Sequence, residues 1–278
     1  MRNDFLGRAK SVLPVLAVAL LQLTWALAQD APARKPTSPE EYQEFLAVAQ
    51  APDPARKIEL TEQFLTKYPE SEYLARVHYY VTYAFSALAK HDKVIEHGAK
   101  GMAFQKDPNI LSLMADAYAG QKKNDEAIAM ASEALAATDS FARPENVTAE
   151  DWDKRMKTLR GANLFLTGKI RFEQGRPEKD AAKKKGLMTE AKASLEKAIG
   201  NEPRMDLYYY YLGLVSGELS QSQEALAALA KAVVLNGQYK QYAEPDLDKF
   251  HAYYSRGKGT KKELDALKAK AKVELGIQ

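Results

Sequence analysis

From Glu40 to Leu275 apolar residues recur at intervals of three and four, and no stretch sustains period-two alternation. The pattern predicts an all-α chain of short helices. It is cleanest from Asp206 to Gly237, DLYYYYLGLVSGELSQSQEALAALAKAVVLNG, which reads as two helices around a turn at Leu219-Ser220-Gln221-Ser222. Tyr209, Leu212 and Gly213 fall on one face of the first helix. Ala225, Leu229 and Ala232 fall on one face of the second. A small residue on each, Gly213 and Ala225, lets the two backbones approach closely.

Related units precede this one. Residues 40–70 give a helical pair or degenerate repeat, broken by Pro52 and Pro54 and closed by Tyr68-Pro69. Ser71 to Phe104 gives a second pair, with Ser71 as a candidate N-cap and His91-Asp92 at the turn. Gly98 and Gly101 stand where its second helix packs back. Each glycine costs roughly 1 kcal/mol against alanine, so their spacing points to close helix approach. Pro108 to Thr138 follows, and the frame repeats: Tyr118 lies 33 residues after Phe85, and Ala127 lies 33 after Val94. A long helix is expected from about Glu150 to Gln174, then an insertion near 175–187 (GRPEKDAAKKKG), then a partner helix carrying Ala191, Leu195 and Ala198. After Gly237, residues 238–245 read as a connector. Leu247 to Tyr254 and Lys261 to Leu275 read as C-terminal capping helices, the last with a lysine-rich outer face.

An aromatic, then Leu-Gly, then two alanines at fixed offsets, on a period in the thirties, resembles the tetratricopeptide repeat (TPR). The resemblance spans residues 71–237 and is closest in Asp206–Gly237. It implies an α-solenoid of antiparallel helical hairpins, a TPR-like right-handed superhelix with terminal caps. It also implies that the first helix of each pair lines a concave groove that binds a protein or peptide. In this chain the residues placed there are Tyr79, Tyr83, Asn109, Ser112, Asp116, Phe165, Lys169, Tyr210 and Leu214. Tyrosine suits such a groove because it offers apolar area and a polar tip at small entropic cost. Some TPR proteins clamp a C-terminal carboxylate with paired lysines and asparagines. The matching inner positions here hold Tyr79, Tyr83, Ser112 and Asp116, so that clamp is missing.

Composition adds location and exclusions. Arg2, Arg8 and Lys10 precede the apolar run from Val12 to Leu23, and Ala26-Leu27-Ala28 supplies a small-x-small site. Residues 1–28 therefore read as a signal peptide cleaved between Ala28 and Gln29. The apolar run is shorter than the roughly 20 residues of a spanning helix and contains Pro14 and Gln22. Residues 29–39 (QDAPARKPTSP) read as a flexible leader. The chain has no cysteine, so neither a lipidated cysteine nor a disulfide framework is available, and export is expected to end in the periplasm without a membrane anchor. Of 40 basic and 37 acidic residues, the signal takes Arg2, Arg8, Lys10 and Asp4, leaving 37 against 36. That balance argues against a nucleic-acid partner.

Nothing advertises catalysis. The four histidines, His78, His91, His97 and His251, lack metal-pair spacing and read as solvated surface residues. No nucleophile elbow, phosphate-cradling loop or zinc-protease motif occurs. No catalytic residue, metal or cofactor is expected. The basic stretch Arg176–Lys185 reads as a loop that could meet an anionic partner. Two functions remain: an exported scaffold binding a partner in its groove, or a structural subunit of an envelope assembly binding through its convex face or C-terminal cap.

Overall fold

The structure, a computed structural model, describes residues 38–277. The signal peptide, its cleavage site and the leader as far as Thr37 lie outside the described residues. Twelve helices and no strand make up the described chain. They run α1 (Pro39–Gln50), α2 (Pro54–Lys67), α3 (Leu74–Ala87), α4 (His91–Gly101), α5 (Pro108–Gly120) and α6 (Asn124–Ser140). They continue with α7 (Ala149–Gly175), α8 (Ala181–Asn201), α9 (Asp206–Glu218), α10 (Ser222–Val234), α11 (Lys240–Tyr254) and α12 (Lys261–Leu275).

Local chemistry starts most of these helices where they start. Ser38, Asp53, Asp107, Thr148 and Asp180 each accept a hydrogen bond from a first-turn N–H. Pro39, Pro54 and Pro108 occupy the first helical position, where the missing N–H costs nothing. Thr260 and Glu263 close a reciprocal capping box on α12.

The helices pair in sequence, and small residues set the closeness of each pair. A side chain on Gly213 would stand 2.7 Å from Leu229 Cγ and 3.3 Å from the Ala225 carbonyl. Gly168 meets Leu195 and Ala191 in the same way on α7 and α8. The packing of Gly101 follows the sequence expectation, since a Cβ there would lie 2.9 Å from the Tyr79 backbone, whereas Gly98 meets Met114 and Ile110 of α5 in the next pair. Ala127, Ala131 and Ala134 line the buried side of α6, as Ala225, Leu229 and Ala232 do on α10.

Beyond the pairs, successive odd-numbered helices touch: α1 with α3, α3 with α5, α5 with α7, α7 with α9 and α9 with α11. The even-numbered helices make at most marginal contact with one another, apart from α10 with α12. A stack closed on one side and splayed on the other is curved, with the odd helices on the inner, concave face. The chain is an α-solenoid.

Three expectations need correction. Residues 240–245 are helical: α11 starts at Lys240 and tolerates Pro245 because Ala243 and Leu247, both fully buried, anchor its first turns. Of the stretch read as an insertion, only residues 176–180 are non-helical; the remainder extends α8 by its first turns. Its lysines are partly engaged, Lys183 with Glu178 at 2.9 Å and Lys184 with Glu218 at 2.8 Å, so no basic loop is presented. His91 and Asp92 belong to α4. The turn before them is made by Ala89, whose φ of 52° is left-handed.

Candidate functional site

The inner face divides into a polar N-terminal part and an aromatic C-terminal part. In the N-terminal part, Asp107 caps α5 while buried to 2% exposure, and four bonds converge near it. Tyr79 donates its phenol to Asp107 Oδ2 at 2.6 Å. The Asn109 backbone and side-chain amides donate to Oδ1 at 2.7 and 2.8 Å. Tyr83 lies 3.3 Å from the Tyr79 oxygen, and because Tyr79 spends its only hydroxyl proton on Asp107, Tyr83 is the donor to Tyr79. Burial pushes the Asp107 carboxyl upward, opposed by Tyr79, Asn109 and the field of Arg155 on α7. Burial likewise raises both phenols, which stay neutral donors.

Toward the middle of the solenoid, α5 offers Asn109, Ser112 and Asp116, spaced three and four apart on one stripe. Asn163 of α7, buried, donates to Ser112 Oγ and to the Leu159 carbonyl, so the two helices are sewn together beneath that stripe. Facing it, α7 presents Arg155, Leu159, Ala162, Leu166 and Lys169, again at steps of three and four, each partly exposed. Gly161 and Gly168 turn toward α8, and Phe165 and Phe172 toward α9, so this stripe is the inner edge of α7.

Asp116 is the least encumbered group in this region. It is open to solvent, yet desolvation pushes its carboxyl up to about 6, against the pull of Lys169. Asp116 thus keeps solvent contact on the inner face while the surrounding protein disfavours its charged form. Tyr83 combines partial exposure with strong desolvation in the same way. Among the described residues, no hydrogen bond or ion pair within 4 Å reaches the Asp116 carboxylate. Lys169 itself lies 3.8 Å from Glu173.

The aromatic part is built from α7, α9 and α11. Phe165 stacks on Tyr208 with centroids 4.9 Å apart and meets Tyr211 edge-on at 5.3 Å. Tyr210 donates to Asp246 Oδ2 at 3.0 Å and packs beside Tyr239 and Tyr242. Of the four consecutive tyrosines, Tyr208, Tyr209 and Tyr210 are buried; Tyr211 alone keeps part of its ring open.

The nine residues expected in the groove thus divide. Tyr83, Asn109, Ser112, Asp116 and Lys169 have accessible surface on the inner face. Tyr79, Phe165, Tyr210 and Leu214 are buried, and their contacts lie within the fold. Sequence spacing overlooked Asp107, together with Arg155, Leu159, Leu166 and Tyr211. The three-four stripe on α7 was a signal that could have found the α7 members.

The histidines also differ from expectation. His97 and His251 are buried, and His78 is half-buried with its Nδ1 3.0 Å from Nδ1 of His97. His97 is pushed down to about 4, by desolvation first and the neighbouring His78 second. His251 faces Glu263 at 3.3 Å. Among the described residues no group of three or more metal-ligating side chains converges. No helix of the described residues is long and apolar enough to cross a membrane.

No protein-family model and no curated protein matches the chain. Solved structures do. The MamA protein is 13% identical, with a TM-score of 0.53 over 73% of this chain and 94% of MamA. Acl4, described as an assembly chaperone of RpL4, is 10% identical, with a TM-score of 0.52 over 85% of this chain and 96% of the Acl4 chain. Both are helical-repeat proteins, and the likeness shows a TPR-like solenoid fold.

Proposed function

We propose that this protein is an exported scaffold, periplasmic and without catalytic activity of its own, which holds a protein or peptide partner in its concave groove. The reading rests chiefly on one observation. The inner stripes of α5 and α7 carry polar and apolar side chains that packing does not consume, on a floor that water reaches. An inner face serving only stability would be expected to bury Leu159 and Leu166, which join none of the buried clusters. Acl4 supports the reading by analogy of shape, since its description is that of a chaperone. Export rests on the N-terminal charge, apolar run and Ala26-Leu27-Ala28.

A photo-crosslinking amino acid placed in turn at Asn109, Leu166 and Lys262 tests the site in cells of the source organism. Adducts from the first two positions and none from Lys262 are expected. The opposite pattern would move the binding surface to the C-terminal cap. That second reading has its own observation: Val273 is 81% exposed and Tyr253 68% exposed, both at that end of the solenoid.

A further inference from the structure

The inner face can be asked which kind of side chain it leaves room for, an inference that rests on the groove reading above. Its charged groups are Asp107 and Asp116 from the α5 region, Arg155, Lys169 and Glu173 from α7, and, at the far end, Asp246 with Lys249 from α11. All but one are already matched. Asp107 is satisfied by Tyr79 and Asn109 and lies in the field of Arg155. Lys169 has Glu173, and Asp246 has Lys249 at 3.2 Å together with the Tyr210 hydroxyl. Asp116, open to solvent on the inner face, has no direct hydrogen-bond or ion-pair partner among the described residues. Two turns of α7 opposite it carry Leu159, Ala162 and Leu166, an apolar strip that water also covers.

We propose that the groove between α5 and α7 binds a segment of a partner protein that carries a lysine or arginine flanked by apolar residues. The cationic head would rest on the Asp116 carboxylate, and its apolar neighbours would cover Leu159 and Leu166. Tyr83, a neutral phenol toward the Asp107 end of the same face, offers a ring face to a neighbouring residue of the segment. A carboxylate is the worse occupant, because it would stand against Asp116 while competing with Glu173 for Lys169. The site therefore has the opposite charge preference to a groove that clamps a chain-terminal carboxylate.

Partial desolvation makes the site pH-sensitive. Asp116 titrates at about 6 when empty, so it must lose a proton to accept the cation when the medium is below that value. Lys169 on α7, itself 3.8 Å from Glu173, is the charged group whose field reaches it. Tyr83 and Ser112 carry no charge in this range.

The experiment is selection from a phage-displayed library of random dodecapeptides on the full-length protein, followed by titration of the recovered peptides. Recovered peptides are expected to hold a basic residue between apolar ones. Asp116→Asn should weaken them roughly tenfold or more, the scale of one ion pair in a partly desolvated site. Lowering the pH from 7.5 to 5 should weaken the wild type about tenfold and leave Asp116→Asn unchanged. Asp116 is solvent-open, so that variant is expected to melt as the parent does. Peptides without a basic preference that are weakened by Tyr83→Ala or Leu166→Ala, and not by Asp116→Asn, overturn the charge assignment and leave the groove reading standing. Peptides indifferent to all three substitutions, or none recovered, overturn both.

Discussion

The two halves of this solenoid solve the same packing problem with different chemistry. In the N-terminal half, α1 to α5 share one apolar cluster, but their inner face is held by a hydrogen-bonded chain from Tyr83 through Tyr79 to Asp107. In the C-terminal half, α7 to α12 share a second cluster whose inner face is stacked rings: Phe165 on Tyr208, with Tyr211 set edge-on. Between them lie a small cluster of Leu111, Ala134 and Ala137 with Met102 and Met130, the polar Ser112–Asn163 contact, and the stack of Phe141 on Trp152 where α6 meets α7. The difference teaches where each half is vulnerable. Stacked rings are held by area and fail when area is removed. A buried carboxylate is held by its donors and fails when one donor is lost.

The largest expected effect is in the aromatic half. Phe165→Ala removes a buried ring from the centre of the stack and is expected to cost about 3–5 kcal/mol. Because the two clusters share no buried residue, the loss should fall on the C-terminal half alone. Urea unfolding followed by circular dichroism should turn from one transition into two. A single, uniformly shifted transition would mean that the halves unfold as one unit and that the seam is stronger than its contacts suggest.

The comparison sharpens when the same atom is deleted on both sides. Tyr79→Phe removes the donor to a buried carboxylate and the acceptor used by Tyr83, and is expected to cost about 2 kcal/mol. Tyr208→Phe removes a hydroxyl with no hydrogen-bond partner among the described residues, and should change stability by less than about 0.5 kcal/mol. Equal costs for the two would erase the distinction between a bonded and a stacked inner face.

A third effect belongs to the N-terminal half alone and depends on pH. His97 is buried, 3.0 Å from His78, and in the fold it titrates near 4, whereas an unfolded histidine titrates near 6.5. Between those values the unfolded chain binds the extra proton, so stability is complete above about pH 6.5 and falls as the pH drops toward 4. Between pH 7 and pH 5 the loss should be about 2 kcal/mol. His97→Gln, which keeps a polar partner for His78 but does not titrate, should lose correspondingly less over that interval in denaturant titrations.

The all-α architecture and the repeat frame were legible because they rest on periodicity and small residues. Gly213 against Leu229, and Gly101 against the Tyr79 backbone, are where the spacing places them. The open inner face was only half legible. A step of three or four says that Tyr79 and Tyr83 share a side of α3, but it does not say that a carboxylate from the next repeat takes the first hydroxyl. Phe165 and Leu214 were lost for a related reason: the inner edge of one helix is partly the neighbour's packing surface, and which part depends on the curvature of the stack. The connector read over 238–245 failed because burial of Ala243 and Leu247 outweighs the bond that Pro245 removes.

The smallest effect asks whether anything is common to both halves. Three hairpin turns end in the same device, in which a residue with positive φ precedes a six-to-one backbone bond. Lys90 N donates to Phe85 O, Lys123 N to Tyr118 O and Gln221 N to Ser216 O, all at 2.9 Å. The left-handed residues are Ala89 (φ 52°), Lys122 (φ 62°) and Ser220 (φ 61°), none of them glycine. Each carries the steric cost that an L-residue meets in that region, so replacing any one by glycine should stabilise the protein. The gain is expected to be less than about 1 kcal/mol, because glycine also enlarges the entropy of the unfolded chain. Thermal melts of the three single variants should therefore shift upward by similar small amounts, with Ala89→Gly and Lys122→Gly in the polar half matching Ser220→Gly in the aromatic one. Equal gains would mean that the turn is a local element whose energy ignores the chemistry of the half it serves. A gain confined to one half would mean that packing in the other half has already relieved the strain of its turn.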